Sequence, residues 1–444
     1  MAVAPPLQEA SPQEGYLFGR GPAWFAFAMT LALMTFDYVD RQIIVSLFPY
    51  LKAEWALTDK QLGALASVVS VTVAIGAVPI ALFADRVSRV KSIAAMAAIW
   101  SLATLSCGMA RNYGMLLAAR GAIGLGEAGY GSVGSALIAS HFPSRLRSSV
   151  MASFFASSAV GSVVGVMLGG LIAARWGWQA AFGIVGLPGL VLALLYLKVR
   201  DYRTVALAPA AGAAAGTQAG PLRHVVHMLT HTRTLLWVCI GGPAQLIVVS
   251  ALWAWLPSYL NRLHGVAPAQ AGMQAALVVL AGAAGGVIWG AVIDRAGGQQ
   301  PRRKLATLAL LCIASGIVLA SAFAFTFEPR TQFALTLFGG FLATCTSGPA
   351  TAIVIDVIHP GVRATGCAVF ALVQNLFGLA VGPFLAGVLS DAWGLVPALT
   401  ITPVFSLLAA TAFLLAGRSY EAEKARTTAA IALEAEGRLR VGLA

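Results

Sequence analysis

Asp37, Asp40, Arg41, Arg120 and Glu127 are ionisable side chains set inside two long apolar stretches of a chain in which only 10% of residues are charged. Carboxylates and guanidiniums in such a setting can exchange protons and pairing partners, which is the chemistry of ion coupling. Facing lipid at a bilayer centre, each would cost roughly 2.5–3.5 kcal/mol, and all of them together would cost as much as a whole domain's stability. They must therefore face inward, and an inward charged cluster marks a functional site.

The spacing groups them. Asp37, Asp40 and Arg41 stand at i, i+3 and i+4 and share one helix face. Arg120 and Glu127 lie two turns apart, about 10 Å along an axis, and share another. Gly121, Gly124 and Gly126 between them leave room for a close neighbour or a substrate. The aspartates are expected to share Arg41 and Arg120, leaving Glu127 as the group to titrate. A carboxylate whose arginine moves between two conformations can gain and lose a proton with that motion. The competing reading is a static packing network.

The elements that position these residues follow from composition. With 59% hydrophobic residues over 444 positions and a mean hydropathy of +0.82, the chain needs the bilayer as solvent. The apolar runs do not alternate, which excludes a barrel and leaves helices. Twelve spans are predicted, over 23–48, 62–84, 92–110, 115–139, 150–173, 180–197, 235–260, 273–293, 305–327, 333–357, 364–389 and 396–416. Lys52, Lys60, Arg111, Arg175, Arg262 and Arg330 fall in outer loops; every other base except Arg41 and Arg120 falls on the side of the termini. This bias makes both termini cytoplasmic. The first and fourth spans run antiparallel and bring the two charged faces to overlapping depth.

The net charge of +12 follows these loops without forming a patch, so no nucleic-acid partner is expected. The five cysteines lie in apolar spans without metal or disulfide spacing, and no metal site is expected. The segment 1–21 lacks the order of a signal peptide, so the first span is expected to be retained.

An Ala/Gly/Pro-rich linker divides six spans from six, giving a tail (1–21), a first bundle (22–199), the linker (200–233), a second bundle (234–417) and a tail (418–444). Signatures recur across it: Asp85-Arg86 as Asp294-Arg295, Arg147 as Arg363, Trp176-Gly177 as Trp393-Gly394. Gly161, Gly165 and Gly170 return as Gly378, Gly382 and Gly387. Offsets of 209 to 217 in the same order indicate a parallel repeat about an axis along the membrane normal.

With these features the chain resembles the major facilitator superfamily. The run from Ala81 to Lys91, with Asp85, Arg86 and Arg89, resembles that superfamily's G-x-x-x-D-R-x-x-R loop, and Gly290 to Arg295 repeats it. The resemblance implies an all-α membrane protein with two six-helix bundles. It also implies a cytoplasmic gate made of Asp85, Arg86, Arg89, Arg147, Asp294, Arg295 and Arg363; a solvated, topology-setting loop is the competing reading. Asp37-Tyr38-Val39-Asp40-Arg41 is similar to the N-Y-x-D-R of the spinster subfamily. The run from Arg120 to Tyr130 is similar to its R-G-x-x-G-x-G-E-A-x-Y. The anion:cation symporter group also carries D-R in its first span. The spinster resemblance implies proton coupling through Asp40 and Glu127, with a lysophospholipid or sphingoid-like amphiphile as substrate. Asp37 departs from the family's asparagine and adds a carboxylate.

Weaker features remain. Tyr130, Gln374 and Asn375 are candidate substrate contacts. Trp253, Trp255, Pro257 and Tyr259, near the outer end of span seven, are candidates to line a substrate path, with interfacial anchoring of the aromatics preferred; His141 and His359 are read as loop residues in preference to a proton relay. The glycine ladders resemble the antiporter motif, although helix packing accounts for them fully. In the last tail, Glu434/Arg438 and Glu436/Arg440 at i, i+4 suggest a short solvated helix or an extension without structure.

The reading is a monomeric secondary transporter of a bacterial inner membrane. A proton gradient drives it, no cofactor is needed, and its partners are its substrate and membrane lipids. Uptake of a small organic anion, with Arg41 and Arg120 holding a carboxylate, is the alternative. A transport-inactive receptor or scaffold is the alternative from another class. No nucleophile–base motif or ATP-binding consensus points to an enzyme or a pump.

Overall fold

The structure is a computed structural model that describes residues 16, 18–86, 88–201, 232–298, 300–358 and 363–442. Most of the linker and His359 lie outside these residues. So do the side chains at 81–87, 363–365 and beyond 429, which include Asp85, Arg86, Arg363 and the Glu434/Arg438 and Glu436/Arg440 pairs.

All regular structure among the described residues is helical. The first half comprises span one (Arg20–Trp55), span two (Asp59–Arg86), span three (Arg89–Gly108), span four (Tyr113–Glu127 with Tyr130–His141), span five (Ser144–Trp176) and span six (Trp178–Tyr196). The second half comprises span seven (Arg233–His264), span eight (Pro268–Gly297), span nine (Pro301–Ala324) and span ten (Pro329–Ala343 with Pro349–Val357). Span eleven (Arg363–Val373 and Val381–Trp393) and span twelve (Leu395–Ile401 and Val404–Gly442) complete it. Apolar side chains around each helix leave backbone groups to be satisfied within it, the one arrangement a lipid solvent permits for a single segment.

Three departures from twelve uninterrupted spans matter for function. Among the described residues, eleven helical stretches are long and apolar enough to cross a membrane, and the missing one is span four, which breaks directly after Glu127. Ala128 is extended and Gly129 takes φ +90°, a left-handed conformation that glycine adopts without steric cost. Span ten breaks at the matching place of the repeat, with a 3-10 turn at Thr344–Thr346 before its second helix starts at Pro349. Interrupted helices in corresponding positions of two repeats mark binding sites in transporters. Span eleven carries a π-helical turn at Gln374–Leu379, which places Gln374 and Asn375 on locally widened backbone.

The two halves meet on the side of the membrane remote from the termini. A methyl group on Gly63 would overlap the Pro383 carbonyl oxygen, and one on Gly170 would sit 2.9 Å from the Pro268 carbonyl oxygen, so spans two and eleven and spans five and eight touch backbone to backbone. Trp255 corrects its reading as an interfacial anchor. It is fully buried, donates from Nε1 to the Pro383 carbonyl at 2.9 Å, and packs 5.3 Å from the Phe48 ring across the interface between the halves. Tyr259 is also buried, with Gln332 donating to its hydroxyl.

His141 is no loop residue either. It ends the second piece of span four, is fully buried, and places its ring nitrogens against the Leu137 and Arg200 carbonyls at 2.9 and 3.1 Å. The last tail continues span twelve as one helix to Gly442. It is fixed at its start by Glu421 to Arg302 at 3.0 Å, by Glu423 to the Arg233 and Thr234 amides, and by Asp356 to Tyr420 and Lys424.

Candidate functional site

Packing of span four decides where its charges go. A methyl group on Gly124 would overlap Thr72 Oγ1 and the Val69 carbonyl oxygen, so only glycine lets span four lie against the backbone of span two. That approach drives Arg120 and Glu127 into the centre of the first bundle, where they are 0% and 2% exposed. On span one, Gly161 and Gly165 of span five seat the helix directly: a methyl group at Gly165 would lie 2.6 Å from the Val39 carbonyl oxygen. Close helix packing accounts for this ladder.

The structure brings all five charges together, with a division of partners different from the one expected. Arg41 Nε donates to Asp37 Oδ1 at 2.8 Å, one turn earlier in the same helix, and lies 2.8 Å from Glu127 Oε2. Its guanidinium also stands 5.4 Å from the centre of the Tyr38 ring. The contact to Glu127 is ionic without hydrogen-bond geometry, and both Glu127 oxygens lack a hydrogen bond among the described residues. Arg41 is 16% exposed in its side chain, whereas Glu127 is wholly enclosed.

Arg120 does different work. Its guanidinium donates to three main-chain carbonyls: Asp40 at 3.0 Å, Arg41 at 3.3 Å and Leu65 at 3.2 Å. It thereby ties spans one, two and four together, and its nearest approach to the Asp40 carboxylate is 4.0 Å. Arg120 is thus a cross-brace under the cluster, and Arg41 is the arginine shared by carboxylates. Asp40 takes its hydrogen bond from a residue that charge spacing could not reveal, Thr104 of span three, while Asp40 Oδ1 has none. Nothing in the sequence marked Thr104, because a threonine in an apolar helix ordinarily bonds its own preceding turn.

Tyr130, Gln374 and Asn375 do not join this cluster. The Tyr130 hydroxyl donates to the Thr30 carbonyl at 2.6 Å and its ring packs 5.4 Å from Trp100, fully buried. Gln374 and Asn375 sit in the π turn of the other half, where Asn375 Nδ2 donates to the Ala371 carbonyl at 2.9 Å. Of the gate residues, Arg147 is exposed and donates to the Phe142 carbonyl at 3.3 Å. Asp294 pairs with Lys304 at 2.9 Å, Arg295 stands exposed beside it, and Arg89 begins span three.

A second charged assembly, unforeseen in the sequence, lies where the halves meet. Arg262 of span seven grips Asp59 at the head of span two through both nitrogens, at 2.7 and 2.9 Å. Lys52 reaches the same carboxylate at 2.5 Å and Ser390 donates to it at 2.6 Å. In return, Asp391 of span eleven accepts from the amides of Asp59 and Lys60, both at 2.8 Å, capping a helix of the opposite half. Asp59 is 3% exposed.

Two six-helix bundles, an outer seal between them and a buried charge cluster at a broken helix find their match in one family. The sequence profile of the Major Facilitator Superfamily matches residues 30–378 and 246–436. The chain belongs to the major facilitator superfamily. It is 29% identical over 388 residues to an MFS-type efflux pump of Mycolicibacterium smegmatis, covering 84% of this chain and 86% of that protein. It is 28% identical over 428 residues to a gallate transporter of Pseudomonas putida, covering 89% and 92%. The crystal structure of a bacterial homolog to the human lysosomal transporter spinster, inward-facing and unoccupied, superposes with a TM-score of 0.81 at 20% identity, over 91% of this chain and 99% of that one. This major facilitator protein is a multi-pass membrane transporter and not an enzyme.

Proposed function

We propose that the protein is a proton-coupled secondary transporter whose halves alternate access around the cluster of spans one and four, and that its substrate is an amphiphile such as a lysophospholipid or sphingoid-like lipid. The observation that carries the proposal is the charge count. Among the described residues, the cations paired with Asp37, Asp40 and Glu127 are Arg41 and Arg120, so a single proton neutralises the group. The oxygens without hydrogen bonds, on Asp40 and Glu127, are the places for it.

Thr104 supports the same reading. Its one hydroxyl hydrogen has two acceptors in reach, the Asp40 carboxylate and the Trp100 carbonyl at 2.9 Å. A proton held on Asp40 Oδ2 is donated to Thr104, which then donates to Trp100, so the contact survives in either charge state of Asp40. Glu127 is the proton carrier, Asp40 its relay, and Arg41, the exposed member, the switch that leaves Glu127 when the halves rock.

The substrate reading rests on the charges already engaged. Arg120 is held by three main-chain carbonyls and Arg41 is shared through Nε by Asp37 and Glu127, while Gln374 and Asn375 stand in the π turn of the other half. That combination suits a polar head and an apolar chain. The gate of Asp85, Arg86, Arg89, Arg147, Asp294, Arg295 and Arg363 closes the side of the termini when the outer seal opens. The side of the termini is cytoplasmic, the membrane is a bacterial inner membrane, the chain acts as a monomer, and the proton gradient is its only driving force.

The gallate transporter among the relatives favours a second reading, uptake of small organic anions. Proteoliposomes under an imposed pH gradient, given radiolabelled lysolipid or a panel of hexuronates and aromatic acids, separate the two. Lysolipid accumulation is expected; accumulation of the acids alone overturns the amphiphile reading.

A further inference from the structure

We propose that the membrane leaflet on the side of the termini supplies an anionic phospholipid to a built site around the start of span nine, separate from the transport pathway. Span nine opens with Pro301-Arg302-Arg303-Lys304, and these bases differ in their partners. Arg302 is paired with Glu421 at 3.0 Å and Lys304 with Asp294 at 2.9 Å. Arg303, Arg295 at the end of span eight and Arg418 in span twelve face no carboxylate among the described residues.

Two hollows take up these unpaired cations. One, of about 450 Å³, lies between spans eight and nine, with Arg295 and Arg303 on its wall and Gly298, Ala306 and Thr307 as its small-residue floor. The other, of about 280 Å³, lies between spans nine and twelve. It is walled by Leu305, Phe413 and Leu414, and Arg302 and Arg418 stand at it. Ala306 borders both, so the two lie side by side on span nine.

A phosphate takes bidentate donors from guanidinium better than from any other side chain. A basic hollow at the level where helices leave the bilayer is where a phospholipid headgroup lies. The apolar groove beside it gives an acyl chain a path toward the hydrocarbon. Charge, depth and shape together name a lipid with a net negative headgroup, with its phosphate at Arg295 and Arg303. The site rests on the side of the termini being one leaflet's surface and does not depend on the substrate proposed above.

The test is lipid retention by the purified full chain. Protein in mild detergent is incubated with equal phosphatidylglycerol and phosphatidylcholine, and bound lipid is read by native mass spectrometry. Wild type is expected to keep phosphatidylglycerol, and the double variant Arg295→Gln/Arg303→Gln to retain it about thirtyfold more weakly. Arg111→Gln, an exposed base on the other side, controls for net charge and is expected to match wild type. Circular dichroism and melting in phosphatidylcholine nanodiscs establish that the double variant folds; if it does not, Arg303→Gln alone is read. Equal retention by wild type and variant, or no preference for phosphatidylglycerol in wild type, overturns the site. Displacement of the lipid by millimolar inorganic phosphate, with equal stabilisation by either, shows a free-phosphate site and overturns the lipid assignment.

Discussion

Arg262 holds Asp59 by both carboxylate oxygens, at 2.7 and 2.9 Å, and so joins span seven of one half to span two of the other. A bidentate pair of this kind fixes orientation as well as distance. Because Asp391 caps the same helix end from span eleven, the two halves are latched by reciprocal contacts on the side that the glycine approaches seal.

Replacing Arg262 by Ala leaves the buried Asp59 with Lys52 and Ser390 alone, a loss of about 1.5–3 kcal/mol for the sealed form. Spin labels at Thr58 and Trp393, both exposed on the latched side, are expected to give one short distance in wild type and an added longer population in Arg262→Ala. An unchanged distance distribution removes the latch.

Glu127→Gln keeps size and packing and removes the titrating group. Uptake driven by a pH gradient is expected to fall to background, while counterflow exchange at equal pH is retained in part. If gradient-driven uptake and its pH dependence match wild type, Glu127 is not the coupling group.

Arg41→Ala leaves Asp37 and Glu127 buried without their common cation. The sign follows directly: protonation neutralises the stranded carboxylates, so the variant gains stability relative to wild type as pH falls. Melting temperatures in detergent across a pH series are expected to converge toward the wild-type value at the acid end. A constant deficit at all pH values assigns Arg41 a packing role only.

Arg120→Ala and Arg120→Lys test the cross-brace. A single ammonium cannot span three carbonyls, so both variants are expected to lose about 3–5 kcal/mol, seen as poor yield and a melting temperature lowered by many degrees. A lysine variant with wild-type melting and yield refutes the brace.

Gly124→Ala adds one methyl group against Thr72 and the Val69 carbonyl. The expected cost is about 1–3 kcal/mol or more, since main chain cannot yield as a side chain does. Lowered melting together with lost coupling ties helix approach to the placement of Glu127; wild-type behaviour in both separates them.

The sequence by itself determined the solvent, the helical class, the repeat and the residues of the cluster. Each of these follows from local quantities: hydropathy of a run, the period of a helix, and the cost of a charge in lipid. Thus Asp37, Asp40, Arg41, Arg120 and Glu127 were legible as inward-facing, and two faces could be assigned from i, i+3 and i+4 spacing. Only the tertiary structure decided which arginine serves which carboxylate. Periodicity fixes directions around one helix axis but not the rotation and depth of a second helix, and those are set by glycine contacts such as Gly124 on Val69. The break after Glu127 was hidden because an apolar run reads the same whether its helix is whole or interrupted. Thr104 and the Asp59–Arg262 latch were out of reach for a related reason. Their partners lie 64 and 203 residues away in sequence, and no local pattern carries a contact that exists only once helices of one bundle have packed or the two halves have docked.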